Sequence, residues 1–187
     1  MKLPNPMWLG ILYAASELWL GITHRSSGSA VSHDKKSLRI LWIVILASVF
    51  FGLQSAVWLP SGTMPHRQFC RVAGFCVFLF GLILRWYSIG YLGKFFTVDV
   101  AIHSGHQVID SGPYRFIRHP SYTGALLAFL GLGLSIGNWW SIAIFVLPTL
   151  LAFLVRIEVE ERALAEAMGE QYRSYQRRTK RLIPLIY

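Results

Sequence analysis

At 187 residues the chain is the size of a single domain. Hydrophobic residues make up 54% of it and charged residues only 14%, with a mean hydropathy of +0.46, more apolar surface than a soluble domain of this length can hide. This points to an integral membrane protein. The formal charge of +9 gathers at the ends of apolar runs, which argues for membrane topology and against a nucleic-acid partner.

The expected fold is an all-α integral membrane protein with about five transmembrane helices, judged against the roughly 20 apolar residues a crossing needs. The first span, about 7–22, is short and carries Glu17. The second, about 38–59, is free of charge inside its limits apart from Arg39 at its start. The third, about 69–92, holds Arg85 near its end, where the side chain either snorkels or neutralises an acidic group. Cys70 and Cys76, six apart and so on different helix faces, read as two buried free thiols. The fourth and fifth spans, about 121–137 and 139–156, are separated only by Asn138, which predicts a tight helical hairpin. Gly133 and Gly137 read as a GxxxG pair for close helix approach, and Pro148 as a bend in the fifth helix. A C-terminal helix follows over 157–168, rich in helix formers and stopped by Gly169, with a tail over 169–187. All seven Trp residues fall near span ends, where indoles favour the interface.

Lys and Arg cluster after span one (Arg25, Lys35, Lys36, Arg39), after span three (Lys94, Arg115, Arg118) and in the tail; Lys2, Arg67 and Arg71 stand opposite. The positive-inside rule places the N-terminus outside and the C-terminus on the cytosolic side.

Between spans three and four lies a polar loop, 93–120, whose end is dense in motif residues: HQVIDSGPYRFIRHPSY, from His106 to Tyr122. Pro113 and Pro120 forbid a helix through it, and Pro120 at a first helical position starts the next one without losing a hydrogen bond. A helix N-terminus beside Arg118 and His119 forms an anion-favouring corner. The hairpin adds a registry. Pro120 is eighteen residues before Asn138 and Arg156 eighteen after, so at about 1.5 Å per residue both stand about 27 Å from the turn. Arg156 is therefore expected beside Arg118, His119 and Pro120, with Glu160 and Glu161 one turn beyond, level with the 114–118 loop.

These residues resemble the isoprenylcysteine carboxyl methyltransferase family. The resemblance rests on His106-x-Val108-Ile109-x-x-Gly112-x-Tyr114 and Arg118-His119-Pro120-x-Tyr122. It continues with Arg156-x-x-x-Glu160-Glu161-x-x-Leu164, then Gly169-x-x-Tyr172-x-x-Tyr175 and Arg181-Leu182-Ile183-Pro184. It covers about the C-terminal half; the first two spans carry no family mark. Asp110 departs from the family pattern by adding a negative charge.

The resemblance implies methyl transfer from S-adenosylmethionine to a lipophilic acceptor entering from the bilayer, on the cytosolic side. It implies cofactor binding by His106, Val108, Ile109, Tyr114, Arg118, His119, Pro120, Tyr122, Glu160 and Glu161, with Arg156 and Glu160 in catalysis. The chemistry suits these types. Tyrosine faces attract a sulfonium, a carboxylate holds an amino group or ribose hydroxyls, and an arginine fork clamps an acceptor carboxylate. An acceptor carboxylate is ionised at neutral pH and needs no base, whereas a thiol or an ammonium does. Alternatives within the wider superfamily are phospholipid or amine N-methylation, thiol S-methylation and nicotinamide-dependent reduction; outside it stands a non-catalytic lipid-binding scaffold. A two-histidine, one-carboxylate metal site from Asp99, His103 and His106 is set aside, and no metal is expected.

Overall fold

Asparagine, proline and glycine set the helix limits in the computed structural model, which describes residues 3–24, 35–96 and 108–187. Six α-helices and no strand occur among the described residues. Helix α1 (Pro6–Thr23) starts where the Asn5 side chain accepts from the Met7 amide at 3.0 Å. Helices α2 (Lys35–Trp58) and α3 (Arg67–Leu92) follow. Helix α4 (Pro120–Ile136) and helix α5 (Trp139–Met168) form the expected hairpin, and α6 (Glu170–Arg178) lies in the tail over 169–187.

Among the described residues three helices are long and apolar enough to cross a membrane: Ser37–Trp58, Arg67–Leu92 and Trp139–Met168. Helix α4 is a shorter apolar helix of 17 residues. The C-terminal helix expected over 157–168 is helical up to Gly169 as the unbroken continuation of α5, because nothing between Arg156 and Met168 interrupts its hydrogen bonding. At 30 residues α5 is about 45 Å long, well beyond a hydrocarbon core of about 30 Å. Its charged residues begin at Arg156, so its last turns, Glu160 and Glu161 included, stand outside the apolar layer.

Helix α4 is the centre of the bundle: α3 packs along one face, α5 along another, and α1 rests against it; α2 packs along α5. The core joins Leu9 and Tyr13 of α1, Ile45 of α2, Phe78 of α3, Ala125 and Phe129 of α4, and Phe145 and Phe153 of α5. The close approach of α3 and α4 depends on glycines seven residues apart on each, Gly74 and Gly81 against Gly124 and Gly131. A Cβ on Gly131 would sit 2.2 Å from the Phe78 amide nitrogen and one on Gly124 2.6 Å from that of Arg85. The expected Gly133–Gly137 pair is thus corrected. Gly133 faces Ile142 of α5, and Gly137, at φ 74°, is the left-handed end of α4. Cys70 and Cys76 are free, but they are half-buried and exposed rather than buried, turned away from the core.

The two ends of the bundle are distinct. At one, Asn138 accepts from the Trp140 and Ser141 amides (2.8 and 3.3 Å) and donates to the Leu59 carbonyl (2.9 Å), while the Met64 amide bonds Gly137 (2.8 Å). Arg71 reaches the Leu3 and Pro4 carbonyls there. The starts of α2 and α4, the end of α3 and the extension of α5 share the opposite end.

Candidate active site

The polar end is assembled around two adjacent carboxylates of α5. Because a helix turns by about 100° per residue, Glu160 and Glu161 point to different neighbours. Both oxygens of Glu161 are engaged. One accepts from Arg118 Nε (2.7 Å) and lies 3.2 Å from His119 Nε2; the other accepts from Arg181 Nε (3.0 Å) and Gln176 Nε2 (3.4 Å). Burial raises the Glu161 pKa, but the hydrogen bonds from His119 and Arg118 outweigh it and hold the carboxyl at about 2.

Glu160 is less enclosed. One oxygen accepts from the Tyr122 hydroxyl (2.7 Å) and Arg156 Nε (3.2 Å). Among the described residues its other oxygen has only His119 Nδ1 near it, at 3.6 Å. His119 therefore stands between the two carboxylates. Its ring stacks on Tyr122 at 9° with centroids 5.6 Å apart, and Tyr122 stacks on Phe153 at 4.5 Å. An aromatic column thus runs from the carboxylates into the apolar core.

Two stretches of chain hold this arrangement. The tail pairs with the segment before α4: the Arg118 amide donates to the Lys180 carbonyl (2.8 Å) and the His119 amide to that of Arg181 (3.0 Å). Arg118 also donates through its guanidinium to the Gln176 carbonyl (3.1 Å) and the Thr179 carbonyl. Helix α6 buries Tyr172 and Tyr175, and the Tyr175 hydroxyl donates to the Tyr114 carbonyl (2.7 Å), whose own hydroxyl donates to Ser88 of α3 (3.1 Å). Burial pushes the phenols of Tyr172 and Tyr175 well above their ordinary range, so both stay neutral.

The structure brings together Tyr114, Arg118, His119, Pro120, Tyr122, Arg156, Glu160 and Glu161 from the sequence expectations, with Val108 and Ile109 half-buried where the described loop resumes. His106, like Asp99 and His103, lies outside the described residues. Three expectations change. The corner at the α4 start is not a free anion site: Arg118 is held by Glu161 and tail carbonyls, and the Tyr122 and Thr123 amides both turn onto the His119 carbonyl at 3.1 Å. Arg156 turns toward α2, donating to Ser37 Oγ (3.0 Å) as well as to Glu160, rather than standing beside Arg118. Asp110 is exposed and pairs with Arg178 at 3.3 Å, outside the carboxylate cluster. Sequence reasoning gave no role to Arg181, Gln176 or Ser37; the Arg181-Leu182-Ile183-Pro184 motif was the one visible signal for the first.

A helical membrane protein with buried, hydrogen-bonded carboxylates at one end of its bundle has the makings of an intramembrane enzyme. The comparisons agree on which. The sequence model of the isoprenylcysteine carboxyl methyltransferase (ICMT) family matches residues 72–166. Protein-S-isoprenylcysteine O-methyltransferase B of Arabidopsis thaliana is 30% identical over 96% of this chain and 92% of its own length. The Schizosaccharomyces pombe protein-S-isoprenylcysteine O-methyltransferase is 28% identical over 88% and 77%. A solved structure of the eukaryotic intramembrane Ras methyltransferase ICMT superposes with a TM-score of 0.71 at 26% identity, covering 97% of this chain and 65% of that one. The chain belongs to the ICMT family and is a membrane-embedded methyltransferase.

Proposed function

We propose that the protein transfers the methyl group of S-adenosylmethionine to the carboxylate of an isoprenylcysteine or similar lipophilic acceptor, at the cytosolic face of the membrane. The observation that carries the reading is the inequality of the two carboxylates. Glu161 is saturated by protein donors, whereas Glu160 keeps one oxygen for a ligand. Glu160 is then the residue that holds the cofactor's amino group or ribose hydroxyls, and Glu161 the one that fixes Arg118, His119 and Arg181 around it.

The residues fit that cofactor. Its methyl arrives already activated by the sulfonium, so the chain's task is binding, orientation and exclusion of water. Tyr122 has His119 stacked on one side and Phe153 on the other, so its ring is not free to face a cation; its part is to hold its hydroxyl on Glu160. Tyr114, Val108 and Ile109 flank the same end. Arg156 is assigned to the acceptor carboxylate: its buried guanidinium joins Glu160 to Ser37 at the start of α2, beside the carboxylate assigned to the cofactor. The five-span topology, with N-terminus outside, rests on the Lys and Arg distribution together with the shared end of α2, α4 and α5.

Titration calorimetry of the detergent-purified protein with S-adenosylmethionine tests the reading. Saturable binding is expected, followed by methyl-ester formation on a farnesylated cysteine analogue. No heat and no thermal shift at saturating cofactor would end it. Methyl transfer to an amine or thiol acceptor, with the isoprenylcysteine refused, would keep the cofactor and replace the acceptor.

A further inference from the structure

Inside the bundle, away from the carboxylate cluster, α3 and α1 share a second ionic contact. Arg85 Nε donates to Glu17 Oε1 at 2.5 Å and its terminal nitrogen to Oε2 at 2.7 Å; both residues are almost wholly buried. Beside them Tyr13, one turn before Glu17, presses its ring on Phe129 at 4.7 Å, with its hydroxyl buried next to the pair. Burying such a pair costs desolvation that apolar side chains of similar volume would avoid. Joining α1 to the bundle does not by itself require it.

What the pair adds is the third nitrogen. Arg85 Nη1 donates to the carbonyl of Ser121 at 3.2 Å. Ser121 lies in the first turn of α4, between Pro120 and Tyr122 and two residues after His119. Gly81 and Gly124, each one turn nearer the Asn138 end, let α3 and α4 approach closely enough for that bond. A rotation or slide of the α4 start moves Tyr122 Oη off Glu160 and the His119 ring from between the carboxylates. Arg85 opposes that motion, and Glu17 holds the fork of Arg85 in the plane that reaches Ser121.

We propose that Glu17 and Arg85 are positioning residues for the active site, so that α1, which lies outside the family match at 72–166, sets the geometry of Tyr122 and His119 through two buried side chains. The consequence for cofactor binding rests on the function proposed above; the consequence for α4 does not. Two readouts separate them.

Hydrogen–deuterium exchange on the parent, Arg85→Lys and Glu17→Gln reads the α4 start with no ligand present. Isothermal titration with S-adenosylmethionine, with kcat and KM on the folded fraction, reads the site. Lysine keeps a counter-charge for Glu17 but loses the planar fork. Arg85→Lys is therefore expected to fold, to speed exchange in residues 117–124 at least tenfold relative to α5, and to weaken cofactor binding about tenfold with acceptor KM little changed. Glu17→Gln keeps an acceptor for Arg85 and is expected to give about a threefold loss. If both variants exchange, bind and turn over within twofold of the parent, or only their melting temperature falls, the pair is structural and the proposal is overturned. Recovery of both variants solely as aggregate overturns it too. Altered exchange in the two variants, with a parent that binds no cofactor, would sustain the positioning of α4 and sink the functional reading alone.

Discussion

The two ends of the α4–α5 hairpin are closed by different chemistry. At the Asn138 end the contacts run largely through backbone groups: Gly137 ends α4, Asn138 caps α5, and Leu59 and Met64 bond to them. At the other end the contacts run through ionised side chains, with Arg118, Arg181 and His119 around Glu161 and Arg156 and Tyr122 on Glu160. A backbone-closed turn is rigid and offers a ligand little, because its donors and acceptors already match one another. An ionic end holds its shape only while charges balance, so removing one partner is costly, yet a charged ligand can enter the balance. On the proposed function, catalysis and fragility therefore share one end of the bundle.

The largest effect that this contrast predicts is at Glu161. Glu161→Gln leaves Arg118 and Arg181 without their shared counter-charge, and breaking one side of a buried ion network costs about 3–5 kcal/mol. Thermal unfolding in detergent should show it as the least stable of the variants considered. A melting temperature equal to the parent's would mean the ionic end does not hold the tail. Glu160→Gln should do the opposite, with stability close to normal and S-adenosylmethionine binding weakened about tenfold, equivalent to about 1.4 kcal/mol. If the two variants exchange these phenotypes, the assignment of saturated and open carboxylates is inverted.

At the backbone-closed end, Asn138→Ala removes a helix cap and a hydrogen bond to Leu59, a loss of about 1 kcal/mol. It should lower the melting temperature while leaving cofactor affinity and turnover unchanged. A loss of binding from this position would show that the ends are coupled and the contrast too sharp.

Acid should separate the ends as well. The Glu161 carboxyl is held at about 2 in the folded protein, against about 4.3 for an ordinary glutamate. A depressed folded value means that its stabilisation is complete above about pH 4.3 and lost as pH falls through 4 toward 2. Melting temperature attributable to this group should hold level from pH 7 to 5 and drop below 4. The drop should be smaller in Glu161→Gln; an equal fall in both would place the acid-labile group elsewhere.

Much of the hairpin was legible because its signals are local. Gly137-Asn138 marks the turn, Gly169 the end of α5, and Pro120 the start of α4. The registry across the hairpin was less so. Equal depth on either side of Asn138 pairs Pro120 with Arg156, whereas Tyr122 and His119 meet Glu160 and Glu161. Side chains lean toward the N-terminus of their helix. On α4 that direction is away from the turn and on α5 toward it, so an α5 residue meets an α4 residue nearer the turn than symmetry suggests. Contacts set by three-dimensional neighbours were out of reach. Helical phase puts Gly124 and Gly131 on one stripe and Gly133 on another, but does not say which stripe meets α3. Glu17 looked like a flaw in a span until its partner 68 residues away was in view. The tail's pairing with 116–119 has no periodic signature at all.

The smallest predicted effect tests where the ionic end stops. Asp110 is the residue that departs from the family pattern, by adding a negative charge. In the structure its carboxylate is half-exposed and pairs at 3.3 Å with Arg178, itself largely exposed. Charges so placed are screened by water and salt, and such pairs contribute about 0–1 kcal/mol. The pair also lies on the outer side of α6, with Tyr175 packed between that helix and Tyr114. Asp110→Asn should therefore change the melting temperature by no more than a degree or two and cofactor affinity by less than twofold, with no added salt dependence. A threefold or greater change in affinity that disappears at high salt would show that the field of Asp110 reaches the cofactor. The loop before Tyr114 would then belong to the ionic end, and the boundary of the site would have to move outward to include it.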